Sequence, residues 1–360
     1  MKLGQVFDPR NNALNAWRLA LAGEVILFHS FPLTGHMPPS AMLQLFFSVG
    51  VDGFFAISGF LVTGSWLRRP QIREYLAARG LRILPGLWVC LIVTAFVIAP
   101  IAVAIQGGSV RQLLLSDGPI GYVWKNSAVI YLQHDINGTP YGVPSSLHWN
   151  GSLWSLIFEV GCYLAVAVIG VVGLAKYRWV SPVMLVLAVG LALMMPPLTF
   201  PGVWTFGQLA ARAGIMFAAG AVLYQWRDVI PARWSLVAVG VVIVVAAGFL
   251  PDYRVVAGLP LAYVVIVSGA LVRARWLRLR NDLSYGTYVY AFPIQQLLLI
   301  CGLVSLNPFI FFTVSTIATL PLAALSWFLV EKHAMSLKSR LTRAAPAWRI
   351  HMAPQRSNGG

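Results

Sequence analysis

This chain is short of charge. Of its 360 residues only 10% are Asp, Glu, Lys or Arg, against 58% hydrophobic, and the mean hydropathy is +0.75. A soluble globular domain carries about 25% charged residues, because its water-facing surface has to be coated. The shortage excludes a water-soluble fold and implies a polytopic membrane protein. Acidic residues are scarcer still, 11 against 26 basic ones, which leaves a net charge of +15. In a soluble chain that excess would point to nucleic acid; here its distribution has to decide. Cysteine is also rare. Cys90, Cys162 and Cys301 stand far apart within apolar runs and form no CxxC pair. That spacing argues against a disulfide framework and a zinc site and leaves buried thiols. No metal is expected.

Apolar stretches are what the chain has in abundance. They predict ten spans, at 15–33, 41–66, 81–105, 152–174, 179–196, 205–225, 234–250, 255–272, 284–304 and 307–330. Pro251 and Asp252 divide the seventh from the eighth. The first apolar segment is long and no small-x-small cleavage site follows Ser30, so it reads as a retained signal anchor. With the N-terminus placed in the cytoplasm, 21 Lys and Arg fall in inside segments and 3 in outside loops. That asymmetry obeys the positive-inside rule. It accounts for the basic excess without nucleic acid. The fold expected is therefore all-α, with about ten transmembrane helices, both termini cytoplasmic, and residence in the cell's inner (plasma) membrane.

Residues 1–340 form one domain in this reading, and 341–360 a basic, disordered cytoplasmic tail. The outside connection 106–151 is long and rich in Gly and Pro. Its apolar piece Pro119–Leu132 is too short to span and suits an interfacial or re-entrant segment. Long loops in compact proteins tend to be lids or binding elements. No inverted repeat of the transporter kind is found.

Ionisable residues inside the spans are expensive, so each needs a reason. In the first span Arg18 and His29 are eleven residues apart, which at 100° per residue puts them on one face about 16 Å apart. Arg18 also suits snorkelling to the inner interface. A neutral His29 also suits a hydrogen bond between helices. Glu24 lies on another face and reads as a helix-packing partner. In the second span Asp52 sits between Gly50 and Gly53, with Ser58 further on; an ion pair and a substrate contact are both open. Arg79 and Arg82, three apart near Pro85, serve either topology or phosphate binding, to which the planar guanidinium is suited. In the fourth span Ser155, Glu159 and Tyr163 repeat every fourth residue and stack on one face. Glu159 lies at a depth compatible with His29. Arg212, in the sixth span, is the countercharge for either Glu159 or Asp52.

Six stretches in this order resemble the integral-membrane acyltransferase-3 family. They are Arg18, ten residues, then His29; Gly50-Val51-Asp52-Gly53-Phe54-Phe55 with Ser58-Gly59-Phe60; and Arg82-Ile83-Leu84-Pro85. They continue with Asn150-Gly151-Ser152-Leu153-Trp154-Ser155 to Glu159; Ser284-Tyr285-Gly286-Thr287-Tyr288 with Pro293; and Trp327-Phe328 with Glu331-Lys332. The likeness runs from about residue 12 to 340. Glu24 is not part of that pattern.

The resemblance implies transfer of an acyl group, usually acetyl, from cytoplasmic acyl-CoA to a hydroxyl, often on a sugar at the outer face. On that basis Arg18, Arg79 and Arg82 would hold the CoA phosphates. His29 would be a general base or a transient acyl carrier, and Glu159 would orient it. Asp52, Ser58, Asn150, Trp154, Ser155, Tyr163, Arg212 and Tyr288 would support the site. Acyl-CoA (acetyl-CoA above all) would be a co-substrate, with no permanently bound cofactor. Membrane lipid and a sugar or glycolipid would complete the partners. An exporter of an acylated metabolite is the alternative, and a non-catalytic assembly protein a third class.

Overall fold

The computed structural model describes residues 1–37, 43–198, 202 and 204–343. Fifteen α-helices and no strand occur among them. After the short α1 (Leu3–Val6) come α2 (Leu14–Leu33) and α3 (Leu43–Arg68). A single run of 34 residues then holds α4 (Ile72–Val93), a π-helical turn and α5 (Ala99–Ile105). The long connection that follows, 106–151, carries α6 (Val110–Leu115) and α7 (Gly118–Asn126). Next are α8 (Leu156–Val171), α9 (Val180–Leu193), α10 (Phe206–Gln225), α11 (Trp234–Ala247) and α12 (Arg254–Leu271). The chain closes with α13 (Ser284–Ile300), α14 (Pro308–Ser326), a second π-helical turn at Trp327–Glu331, and α15 (Lys332–Arg343).

Every predicted span contains a helix, and the break at Pro251–Asp252 separates α11 from α12. Six helical runs are long and apolar enough, by length and composition, to cross a membrane. α9 and α11 are apolar but have only 14 residues each, and α13 has 17. α2 is not among the six, as its Asn15, Arg18, Glu24 and His29 depress its hydropathy. Three boundaries differ from the prediction; the last helical run continues past 330 through α15 to Arg343. The third span begins nine residues earlier, at Ile72, because the segment around Arg79 and Arg82 is already helical. Of the expected apolar piece Pro119–Leu132 only 119–126 is helical, within α7. Of the expected tail, 341–343 prolong α15, and 344–360 lie outside the described residues.

The helix α3 is the axis of the bundle. It crosses α10 at backbone contact: a Cβ on Gly59 would come within 1.9 Å of the Phe217 carbonyl, and one on Gly220 within 2.0 Å of the Ala56 carbonyl. Glycine at both crossing points is what lets the two helices meet without a gap. On its other side α3 meets α2, with Glu24 against Gly50 and Leu21 against Gly53. Those pairs make the two helices antiparallel. Arg18 is then level with about Ala56, and His29 with about Leu45.

Candidate active site

The main cavity, about 410 Å³, is walled by α2, α3, α4, α8, α13 and the junction of α14 with α15. Along α3 its lining runs from Val51 to Arg68, about 26 Å of helix. Of the residues expected at the site it gathers Arg18, Ser58, Arg79, Arg82, Ser155, Glu159, Tyr163 and Tyr288. Arg68 adds a fourth arginine at the exposed end of α3.

Two of the arginines are neutralised in place. Arg18 donates from Nη1 to Asp282 at 2.8 Å, and Arg82 donates from Nη2 to the same carboxylate oxygen at 2.6 Å. The other oxygen of Asp282 accepts from the hydroxyl and the backbone N–H of Ser284 at the start of α13. Burial alone would push this carboxyl up, but Arg82 and Arg18 outweigh it and hold it at about 2. Arg82 reaches a second carboxylate, Glu331, at 3.5 Å, and Ser326 donates to Glu331 at 3.0 Å. Glu331 stands on the π-helical turn, whose extra residue turns its side chain in toward α4.

Deeper in, the polar groups bond to one another. Tyr163 donates to Glu159, and Ser58 donates to the same Oε1 at 3.3 Å. Tyr288 donates to the Ser152 carbonyl at 2.8 Å and shares a 2.7 Å bond with Ser155. The Tyr288 ring meets Phe54 edge-on at 5.8 Å near the deep end of the cavity.

The remaining predicted residues stand outside the cavity. Asp52 is fully buried between Arg212 and Arg254, each 2.7 Å away, and it also accepts from Tyr253. Ser48 is bonded to both arginines, through its carbonyl to Arg212 and through its hydroxyl to Arg254. Of the two partners open to Arg212, the structure selects Asp52. The guanidinium of Arg212 lies 5.4 Å from the rings of both Phe47 and Trp154, which gives Trp154 its place. Asn150 donates to the Val289 carbonyl at 2.8 Å and accepts from the Ser152 N–H, fixing the entry to α8 on α13. Glu24 presses its Oε2 on the α3 backbone at Gly50.

His29 and Glu159 are not brought together. His29 packs edge-on to Phe28 (5.4 Å) and Phe292 (5.1 Å), while Glu159 is held by Ser58 and Tyr163. No hydrogen bond joins them among the described residues. Six residues of α2 separate the level of Val51 from His29, about 9 Å beyond the cavity floor.

Sequence reasoning also missed four charged residues. Arg254, assigned to an outside loop, is the buried first residue of α12. Asp282 followed a run of four arginines read as topology signals. Glu331 figures in the sequence only within the closing motif, and Arg68 is one of the 21 basic residues of the inside segments. The scarcity of acidic residues was the usable signal: with 11 in 360, one beside a span demands a partner.

An all-helical, multi-pass membrane protein with an arginine-lined cavity is thus defined. The acyltransferase-3 model, described as an acyltransferase domain, matches residues 11–328, and the chain belongs to that family. It is 27% identical to an "O-acetyl transferase" of Shigella phage Sf6, over 94% of this chain and 98% of the relative. It is 28% identical to "Nodulation protein 10" of Rhizobium leguminosarum bv. viciae, over 92% and 95%. No solved structure matches it.

Proposed function

We propose that this acyltransferase moves an acyl group, acetyl in the simplest case, from acyl-CoA to a hydroxyl of a carbohydrate-type acceptor. The acceptor oxygen attacks the thioester carbonyl, the C–S bond breaks, and the hydroxyl proton leaves with the CoA thiol. The observation that carries this reading is the cavity: arginines at its open end, then about 15 Å along α3 from Arg68 to Ser58, where Glu159 stands. That length suits an extended pantetheine arm with its phosphates at the arginines. The name of the phage relative supports acetyl as the group and oxygen as the acceptor atom.

His29 takes the acceptor side. It stands about 20 Å along the bundle from the level of Ser58, so the acyl group reaches it only when the donor seats deeper than Ser58 and the Phe54–Tyr288 contact opens. There it accepts the hydroxyl proton or carries the acyl group in transit. Ten spans, both termini in the cytoplasm and a place in the plasma membrane complete this reading. Membranes incubated with labelled acetyl-CoA should place label on a surface glycan or glycolipid, and His29→Ala should reduce this by at least about 100-fold. Full activity of H29A, or movement of substrate with no new ester, would overturn the reading.

A further inference from the structure

The four arginines of the cavity carry the same charge but do not have the same freedom. Arg18 and Arg82 share Asp282, and Arg82 also reaches Glu331. Both carboxylates are nearly buried, with side chains 10% and 2% exposed. A phosphate that took Arg82 would leave the buried Glu331 without its arginine, and one that took Arg18 would remove one of the two that neutralise Asp282; both are unfavourable.

Arg79 is held differently. Its guanidinium lies 5.9 Å from the Tyr75 ring and 5.5 Å from the Tyr163 ring, and Tyr75 is itself fixed by donating to the Tyr163 carbonyl at 2.9 Å. Among the described residues no carboxylate comes within ion-pair distance of it, and its Nε, like that of Arg18, is buried without a hydrogen-bond partner. Aromatic faces orient the fork and leave its donors unspent. Arg68, exposed at the end of α3, makes one long bond, 3.4 Å to the Tyr224 hydroxyl, and no ion pair among the described residues.

Position agrees with freedom. Arg68 is about 15 Å of helix from Ser58, toward the solvent end, and Arg79 precedes Arg82 by about 4.5 Å on α4. Given the acyl-CoA reading above, on which this rests, we propose that Arg79 and Arg68 bind the nucleotide phosphates of the donor. Arg18 and Arg82, clamped by Asp282 and Glu331, are positioning residues that shape the throat the pantetheine arm passes. This departs from the expectation that Arg18, Arg79 and Arg82 act as one phosphate cradle.

The test compares donors with and without phosphates on purified protein in detergent. Wild type should show a KM for acetyl-CoA at least about 30-fold below that for S-acetylpantetheine, the size expected of charge-assisted hydrogen bonds. Arg79→Gln should raise the acetyl-CoA KM until the two donors nearly match, leaving the S-acetylpantetheine KM unchanged. Arg68→Gln should do so in part. Arg18→Gln should keep the KM ratio while losing kcat or melting temperature. Arg79→Lys, which keeps the charge and loses the fork, should fall between wild type and R79Q and guards against misfolding. Loss of the ratio in R18Q with its retention in R79Q would overturn the assignment. Binding of 3′,5′-ADP by calorimetry separates the two claims. Binding that is lost in R79Q, without transfer from acetyl-CoA, retains the arginine assignment and overturns the proposed reaction. Binding that R79Q leaves intact overturns the assignment whatever the reaction.

Discussion

Single charges in this protein take their meaning from their partners. Asp282 ties Arg18 on α2 to Arg82 on α4, and with Glu331 it makes a four-membered ion cluster. Removing its charge leaves Arg18 without a carboxylate and Arg82 with Glu331 alone, so Asp282→Asn should cost about 3 kcal/mol, read as a lowered melting temperature in detergent. The pH dependence follows from its carboxyl, held at about 2. A depressed carboxylate contributes its full stability above the unfolded value of about 4 and loses it as pH falls toward 2. The gap between wild type and D282N should therefore be constant from about pH 8 to 5 and close below about 4. A gap that closes on the alkaline side would refute the role given to Asp282.

What could be read from the sequence at this scale was depth, and what could not was direction. Periodicity put Ser155, Glu159 and Tyr163 on one face, and they do line one cavity. It gave no means of telling which neighbouring helix that face meets. His29 and Glu159 accordingly looked like partners by depth, yet Glu159 faces α3 and His29 faces α13. Arg212 had two partners at the right depth, and only packing selects Asp52. Arg254 was hidden by its place beside Pro251 and Asp252, where a charged residue reads as loop.

At the scale of helices, the crossing of α3 and α10 is where the structure has least tolerance. Each of its two glycines faces a carbonyl of the other helix, and backbone cannot rotate away as a side chain can. Gly220→Ala should force the helices apart and cost about 2 kcal/mol, with activity falling as Ser58 and Phe54 shift with α3. A melting temperature equal to wild type would show that the crossing relaxes freely. The helices themselves were legible because each is a long, predominantly apolar run, with only isolated ionisable residues such as Arg18, Asp52 and Arg212 inside it. The early start of α4 was not, since Arg73, Arg79 and Arg82 read as a cytoplasmic loop, although all three belong to a helix.

For the whole molecule, sidedness is the property to establish. Cys90 is buried, Cys162 half-buried and Cys301 exposed at the end of α13 beside the left-handed turn at Gly302. In the proposed topology, with both termini in the cytoplasm, α13 ends at the outer face. A membrane-impermeant thiol reagent applied to intact cells should therefore label wild-type protein at Cys301 and leave Cys301→Ser unlabelled. Labelling only after the cells are opened would invert the topology.

The edge-on contact of Phe54 and Tyr288 has a consequence for the cell. The cavity comes no nearer to His29 than the level of Val51, about 9 Å away along the bundle. A continuous polar path through a membrane protein would short-circuit the proton gradient across the bilayer. The two rings keep the deep end of the cavity apolar, so the electrical tightness of the bilayer rests on the same side chains that bound the site.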